Sequence, residues 1–243
     1  MTKLTLLLPA YNEATVLPWS VRTLSTYAEG ALAEYDWRIV VVDNGSSDNT
    51  PAVIADLQKT VPKLTLLRLV EKGRGRALKQ AWSELDYDVS AYMDVDLAVA
   101  LDAVKPLVDA VASHSADIAV GSRYAPGASI QRSFFRSITS VGYNFLTKVT
   151  IHLRTRDAQC GFKAIRKSVA TTLLPLVHDT KWFFDTELLA FAEHRKFRVR
   201  EIPVAWVETR PALRKSKVKV FRTIIDYLVD LLRLRRALRH DTV

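Results

Sequence analysis

The sequence predicts an α/β protein built on a mostly parallel sheet flanked by helices, with a basic amphipathic helix at its C-terminal end. Three observations predict it. Short β-rich runs alternate with helical patterns through residues 1–122, the order that gives a parallel sheet. Several of the runs are continuously apolar, as strands covered on both faces are. Polar residues gather just past the ends of the runs, where an open α/β sheet binds its ligands.

The first strand is expected over Lys3 to Pro9, followed by a helical pattern from about Glu13 to Glu29. Trp37 to Asp43 reads as the second strand, and the pair Thr50-Pro51 supplies a cap and a first-turn proline for a helix reaching Lys59. Leu64 to Leu69 and a helix from Gly75 to Leu85 come next, then a strand from Val89 to Asp94, a helix from Leu101 to Ser113 and a strand from Asp117 to Ser122. The second half loses this alternation. Ser133 to Leu153 suits one long helix or two short ones, Lys181 to His194 another, and Val199 to Val207 a strand. In Val218 to Arg239, Phe221, Ile224, Ile225, Leu228, Leu231 and Leu232 recur at helical spacing between flanking arginines.

Composition narrows the class. About half of the 243 residues are hydrophobic and a quarter are charged, the profile of a folded globular chain. The apolar run ending at Pro9 is too brief for a signal peptide, and no stretch approaches the roughly 20 uninterrupted apolar residues of a membrane span. Residence in the cytoplasm is therefore expected, with any membrane contact made on the surface. Cys160 is the only cysteine, so there is no internal disulfide and no zinc-type spacing, and any metal should be hard and oxygen-bound. Charge is divided unevenly. Residues 1–120 hold 11 Lys and Arg against 16 Asp and Glu, whereas residues 121–243 hold 24 against 10. The basic half points to an anionic partner, whether a membrane surface, a phosphorylated substrate or nucleic acid.

Strand 1 runs into Pro9-Ala10-Tyr11-Asn12-Glu13 and strand 2 into Asp43-Asn44-Gly45-Ser46-Ser47-Asp48. Asn12, Asp43 and Asp48 each suit a turn or a cap. Asp43 differs in closing an apolar strand, where an unpaired carboxylate is costly. Strand 4 ends in Asp94-Val95-Asp96. In an extended segment residues two apart share a face, so both carboxylates could converge on one divalent cation and the diphosphate it carries.

Those motifs, together with Lys72-Gly73-Arg74-Gly75 and Gly121-Ser122-Arg123-Tyr124 in the same order, resemble family 2 glycosyltransferases of the GT-A fold. The resemblance continues through Asp157 to Lys163, Phe184 to Leu189 and Ile202 to Trp206, a pattern similar to dolichyl-phosphate glucose and mannose synthases. It implies a catalytic domain over 1–215, divided into a nucleotide-sugar half (1–122) and an acceptor half (123–215), with 216–243 as the basic helix. It also implies that Pro9, Ala10, Tyr11, Glu13 and Asp43 hold the base and ribose, and that Lys72 and Gly75 line the same cleft. Asp94 would contact the ribose and sugar, and Asp96 would ligate Mg2+ or Mn2+ on the diphosphate. Arg123, Arg132 and Arg136 would meet the diphosphate or the acceptor phosphate, Asp157 and Gln159 would organise the sugar or that phosphate, and Ser216 and Lys217 would bind phosphate. Two positions depart from the pattern: Ala98 stands where mannose synthases often carry a polar metal ligand, and Lys215 where glycine usually precedes Ser-Lys.

The reaction so implied is inverting transfer of a hexose onto polyprenyl phosphate. UDP-glucose is the favoured donor, because Asp157 to Lys163 looks most like the glucose synthases, and GDP-mannose is the runner-up. A soluble or polysaccharide acceptor stays open, although the Gln-x-x-Arg-Trp motif of processive enzymes is absent. A nucleic-acid-binding protein is the remaining reading of the charge. It leaves Asp43, Asp94 and Asp96 unexplained and offers no recognisable module. The expected place of work is the cytoplasmic face of a membrane, held peripherally by the C-terminal helix and aided by Phe134 to Leu153.

Overall fold

Five parallel strands form in the first half where the β-rich runs predict them: β1 (Lys3–Ala10), β2 (Asp36–Asn44), β3 (Leu64–Leu69), β4 (Val89–Met93) and β5 (Ile118–Ser122). The computed structural model describes residues 1–131, 134–207 and 220–241, with side chains at 1–130, 140–207 and 226–241. Helices α1 (Leu17–Ala31), α2 (Thr50–Gln58), α3 (Arg74–Glu84) and α4 (Val104–Ala112) connect these strands. α1 starts later than its sequence pattern suggests. The amides of Val16 and Leu17 both donate to the carbonyl of Glu13, at 3.0 and 3.1 Å, so Glu13 to Val16 forms a turn that leads into the helix.

The second half adds β6 (Ser129–Gln131), α5 (Phe134–Ile151), β7 (Phe162–Arg166), α6 (Lys167–Leu173), α7 (Phe184–His194), β8 (Val199–Pro203), β9 (Ala205–Val207) and α8 (Val220–His240). The seven-stranded sheet has the order β3-β2-β1-β4-β7-β5-β8. β7 is antiparallel to both neighbours, β4 and β5, while the other pairings in this sheet are parallel. The single strand expected from Val199 to Val207 is instead interrupted at Val204. Its first part edges the large sheet, and its second pairs with β6 in a separate two-stranded sheet.

Alternation along the strands fills a core on each face of the sheet. Leu4, Leu6, Leu8, Ile39 and Val41 pack with Leu17, Val21, Leu24, Ile54 and Leu107 from α1, α2 and α4. Leu7, Val40, Val42, Tyr92, Ile118 and Val120 pack on the other face with Leu78, Trp82, Leu173, Phe184 and Leu188 from α3, α6 and α7. α8 belongs to this second core through Tyr227, Leu231 and Leu234. The Tyr227 ring lies 5.0 Å from Tyr143 of α5 and 6.0 Å from Phe183. The apolar stripe expected to meet a membrane is thus shared, one face being committed to protein.

The chain fills the sheet from β1 outward to β3 and then crosses to β4 on the other side, so a topological switch point lies between β1 and β4. Crevices form at such points beyond the carboxyl ends of the strands. Ala10 pairs level with Asp43, and Leu7 with Tyr92, which brings the ends of β1, β2 and β4 together there.

Candidate active site

Side chains lace the loops after β1 and β2 together. Asn12 adopts φ 54°, a left-handed conformation that Asn tolerates. Its amide donates to Ser46 Oγ at 2.9 Å, its Oδ1 accepts from the amide of Ser47 at 2.8 Å, and the amide of Glu13 donates to Thr50 Oγ1 at 2.9 Å. This fixes Pro9 to Glu13 against Asp43 to Thr50. Asp43 is fully buried, and its Oδ1 accepts from the amide of Ser46 at 3.0 Å. Its Oδ2 has no hydrogen-bond donor, and the Nε of Arg68 stands 3.4 Å away. A buried carboxylate oxygen without a donor is destabilising, and a ligand offering N–H or O–H groups would satisfy it.

Lys72 closes the same cleft. Its ammonium sits 3.8 Å from the centroid of the Tyr11 ring and donates to the Tyr11 hydroxyl. The amide of Gly73 donates to Asn44 Oδ1 at 2.7 Å. A Cβ at Gly75 would come within 2.6 Å of Phe184 Cβ, so glycine is what lets α3 begin against α7. Gly75 and Arg76 donate to the carbonyls of Lys181 and Thr180 at 3.0 and 3.1 Å. Lys72 to Gly75 therefore ties the β2 loop to the segment before α7.

The β4 loop differs from the sequence expectation. β4 ends at Met93, and the amide of Leu97 donates to the carbonyl of Asp94 at 3.0 Å, closing a turn in which Leu97 takes φ 46°. Asp94 and Asp96 thus sit in a turn, and extended-strand alternation does not set their directions. Asp94 lies 3.4 Å from the Nη2 of Arg74, and a Cβ at Gly161 would stand 2.7 Å from its Oδ1. Asp96 Oδ1 accepts from the amide of Ala98 at 3.3 Å. Among the described residues, no group of three or more His, Cys, Asp or Glu is assembled that could hold a metal by itself. Carboxylate oxygens at Asp94 and Asp96 do fit Mg2+ or Mn2+ in the manner common for such ions, with one or two protein carboxylates and the rest of the shell from phosphate and water.

At the end of β5, Arg123 and Asp157 engage each other. Arg123 donates from Nε and Nη2 to the two carboxylate oxygens of Asp157, both at 2.8 Å, and its amide donates at 2.9 Å. Burial works against the charge on Arg123, but the hydrogen bonds and charge of Asp157 outweigh it and hold the guanidinium firmly protonated. The two residues assigned separately to phosphate and sugar therefore form one buried unit, from which Arg123 Nη1 is not taken up by Asp157. Arg123, Asp94, Gln159, Gly161 and Trp206 line a recess of about 90 Å³. A larger opening of about 660 Å³ lies at the other end of the sheet, lined by Met1, Tyr35, Trp37 and Lys63.

Arg74, Tyr92, Lys163 and Asp185 form a buried polar cluster that was not assigned to the site from sequence. Arg74 donates through Nη1 to Asp185 Oδ2. Lys163 Nζ donates to Asp185 Oδ1 at 3.0 Å and to the carbonyls of Ala158 and Cys160 at 3.0 and 2.6 Å. The Tyr92 hydroxyl donates to Asp185 Oδ1. Burial alone would raise the Asp185 carboxyl, but Lys163 and Arg74 outweigh it and hold its pKa below the ordinary value. The available signal was a lysine inside the β-rich Phe162 to Arg166 and an aspartate inside the apolar Phe183 to Leu189. Arg132, Ser216 and Lys217 lie outside the described residues. Arg136 falls on α5, and its side chain is likewise outside them.

Known proteins share the sequence pattern and the fold. The model of glycosyl transferase family 2 matches residues 5–174. Glycosyltransferase AglD of Haloferax volcanii is 34% identical over 95% of this chain, which spans 36% of that protein's length. The dolichyl-phosphate beta-glucosyltransferase ALG5C of Trichomonas vaginalis is 30% identical over 95% of this chain and 70% of its own length. Among solved structures, glucosyl-3-phosphoglycerate synthase from Mycobacterium tuberculosis, in complex with Mn2+, UDP and phosphoglyceric acid, superposes with a TM-score of 0.66. It is 18% identical and covers 98% of this chain and 77% of its own. That likeness shows the fold expected from the sequence, a mostly parallel sheet of GT-A type. The matched family model, which spans all of the loops that build the cleft from Pro9 to Gly161, settles the class of enzyme: the chain belongs to glycosyl transferase family 2 and is a glycosyltransferase.

Proposed function

We propose that this glycosyltransferase moves glucose from UDP-glucose onto the phosphate of a polyprenol, with inversion at the anomeric carbon, at the cytoplasmic face of a membrane. The observation that carries the acceptor assignment is the apolar surface beside the site. α5 exposes Val141, Phe145 and Val149, and α8 exposes Leu228, Val229 and Leu232. Lys148, Arg233, Arg235, Arg236 and Arg239 accompany them, the mixture of apolar and basic groups that settles at an anionic lipid interface. Tyr227 of α8 lies close to Gln159, a residue lining the recess, so this surface stands near the site. Among the described residues, no helix is long and apolar enough to cross a membrane. The relatives named dolichyl-phosphate beta-glucosyltransferases support the same acceptor and sugar.

In this reading Asp43 Oδ2 accepts from the nucleotide, and Tyr11 with Lys72 covers the base. Asp96, aided by Asp94, would hold Mg2+ or Mn2+, which when bound neutralises the departing diphosphate. The acceptor phosphate is anionic at neutral pH and attacks the anomeric carbon directly. Its oxygen forms the new C–O bond as the bond to the nucleoside diphosphate breaks, and no proton has to be removed. Positioning and charge neutralisation supply the catalysis.

The test is transfer of radiolabelled sugar into organic-extractable lipid, with purified protein, polyprenyl phosphate, Mg2+ or Mn2+, and UDP-glucose or GDP-mannose in separate arms. Label in lipid from UDP-glucose alone, dependent on polyprenyl phosphate, supports the proposal. Label from GDP-mannose alone overturns the sugar assignment. Nucleotide release without a lipid product overturns the acceptor.

A further inference from the structure

Arg74 occupies an unusual place. It opens α3, yet its guanidinium is buried between rings, 5.2 Å from the centroid of Tyr92 and 5.4 Å from that of Trp182. Nη1 meets Asp185 of α7, and Nη2 lies 3.4 Å from Asp94 in the β4 loop. Behind Asp185 stands Lys163, whose ammonium also holds the carbonyls on either side of Gln159. A continuous chain thus runs from the Gln159 loop through Lys163, Asp185 and Arg74 to Asp94. It contains two cations and two carboxylates, so it is balanced. Three of its four charged groups are buried, and Asp94, with 44% of its side chain exposed, forms the end that reaches the cleft.

We infer that Arg74 is a positioning residue for the donor site, fixing the Asp94 carboxylate through one edge of its guanidinium while Asp185 fixes the other edge. Two carboxylates on two edges require a planar fork, and a lysine ammonium cannot span both in that geometry. The consequence is mechanical. The donor-side carboxylate is registered to the helix and loop that form the acceptor side, so the two halves of the site are set relative to each other by buried charge. The inference rests on Asp94 facing the donor, as proposed above.

The experiment measures release of nucleoside diphosphate from UDP-glucose, which reads the donor site whatever the acceptor is, for Asp94→Asn, Arg74→Met, Arg74→Lys and the double variants. Far-UV circular dichroism and thermal midpoints establish which variants fold. Arg74→Met is expected to lower kcat/KM at least about tenfold, the scale of one charge-assisted hydrogen bond, with Arg74→Lys recovering part of it. Added to Asp94→Asn, either substitution should cause little further loss, because the residue it positions is already gone. Full additivity, or wild-type kinetics in a folded Arg74→Met, overturns the role of Arg74. Should Arg74→Met not fold, the Arg74→Lys cycle against Asp94→Asn decides in the same way. Wild-type kinetics in Asp94→Asn itself would instead overturn the reading of Asp94 as a donor residue, a distinguishable outcome.

Discussion

Arg123 presents two guanidinium nitrogens and its own amide to the carboxylate of Asp157, three donors within 2.9 Å of one buried acid. Residues 34 positions apart are thereby locked across the end of β5.

Removing one side of this pair leaves the other buried without compensation, a change that destabilises by about 3–5 kcal/mol. Asp157→Ala is expected to lower the thermal midpoint clearly, and the double variant Asp157→Ala with Arg123→Met to be less destabilised than the sum of the single changes. Calorimetric unfolding checks this. Additive losses would mean that the two residues act separately.

Asp43 carries a different expectation, because its Oδ2 lacks a donor in the protein. Asp43→Asn keeps an oxygen to accept from Ser46 but removes the charge that the proposed nucleotide contact would use. Affinity for UDP should fall by about 10- to 100-fold, as for loss of a hydrogen bond to a charged group, while the fold is retained. Titration calorimetry with UDP and Mn2+ reads the change, and an unaltered affinity would remove Asp43 from the nucleotide site.

Gly161→Ala tests the β4 loop from the opposite side. The new Cβ would stand 2.7 Å from Asp94 Oδ1 in the present geometry, so the carboxylate must move. Since Asp94 is partly exposed it can do so without unfolding the protein. Activity is expected to drop at least about tenfold, the loss tied to one charge-assisted contact, with a nearly unchanged thermal midpoint.

Acid stability follows from Asp185, whose folded pKa lies below the ordinary 3.8 because Lys163 and Arg74 outweigh its burial. Below 3.8 the unfolded chain binds the proton more readily than the folded one. The stabilisation from this group is therefore complete above the ordinary value and is lost as pH falls through the folded value. Denaturant titrations across the acid range should show that loss, and Asp185→Asn should flatten it while lowering stability at neutral pH.

The two faces of α8 separate packing from lipid binding. Leu231 is buried against the core, so Leu231→Ala should destabilise by about 2–5 kcal/mol. Leu232 is exposed, and Leu232→Asp should leave stability alone while weakening sedimentation with anionic vesicles. Equal vesicle binding by wild type and Leu232→Asp would detach this face from the membrane.

Predominantly apolar runs made β1, β2, β4 and β5 readable in the sequence, because strands buried on both faces have little polar alternation to disguise them. β3, at the sheet edge with Thr65 and Arg68 exposed, was readable from its β-rich run of leucines. β7 was hidden by Lys163, which reads as a polar break in a short run until Asp185 and two carbonyls are seen to receive it. The motif loops were legible as a set at the strand ends. Their pairings were not, since spacing along the chain does not reveal that Arg123 meets Asp157 or that Arg74 reaches both Asp94 and Asp185. The Asp94 to Leu97 turn also escaped, because a three-residue motif is equally compatible with extended and turned backbone.

The most direct test of the whole account is the structure of the product made from UDP-glucose and polyprenyl phosphate, with its anomeric configuration read by proton NMR. A single inverting displacement from the α-linked donor predicts polyprenyl-phosphate β-glucose. An α-linked lipid product, or glucose recovered only in water-soluble material, would contradict it.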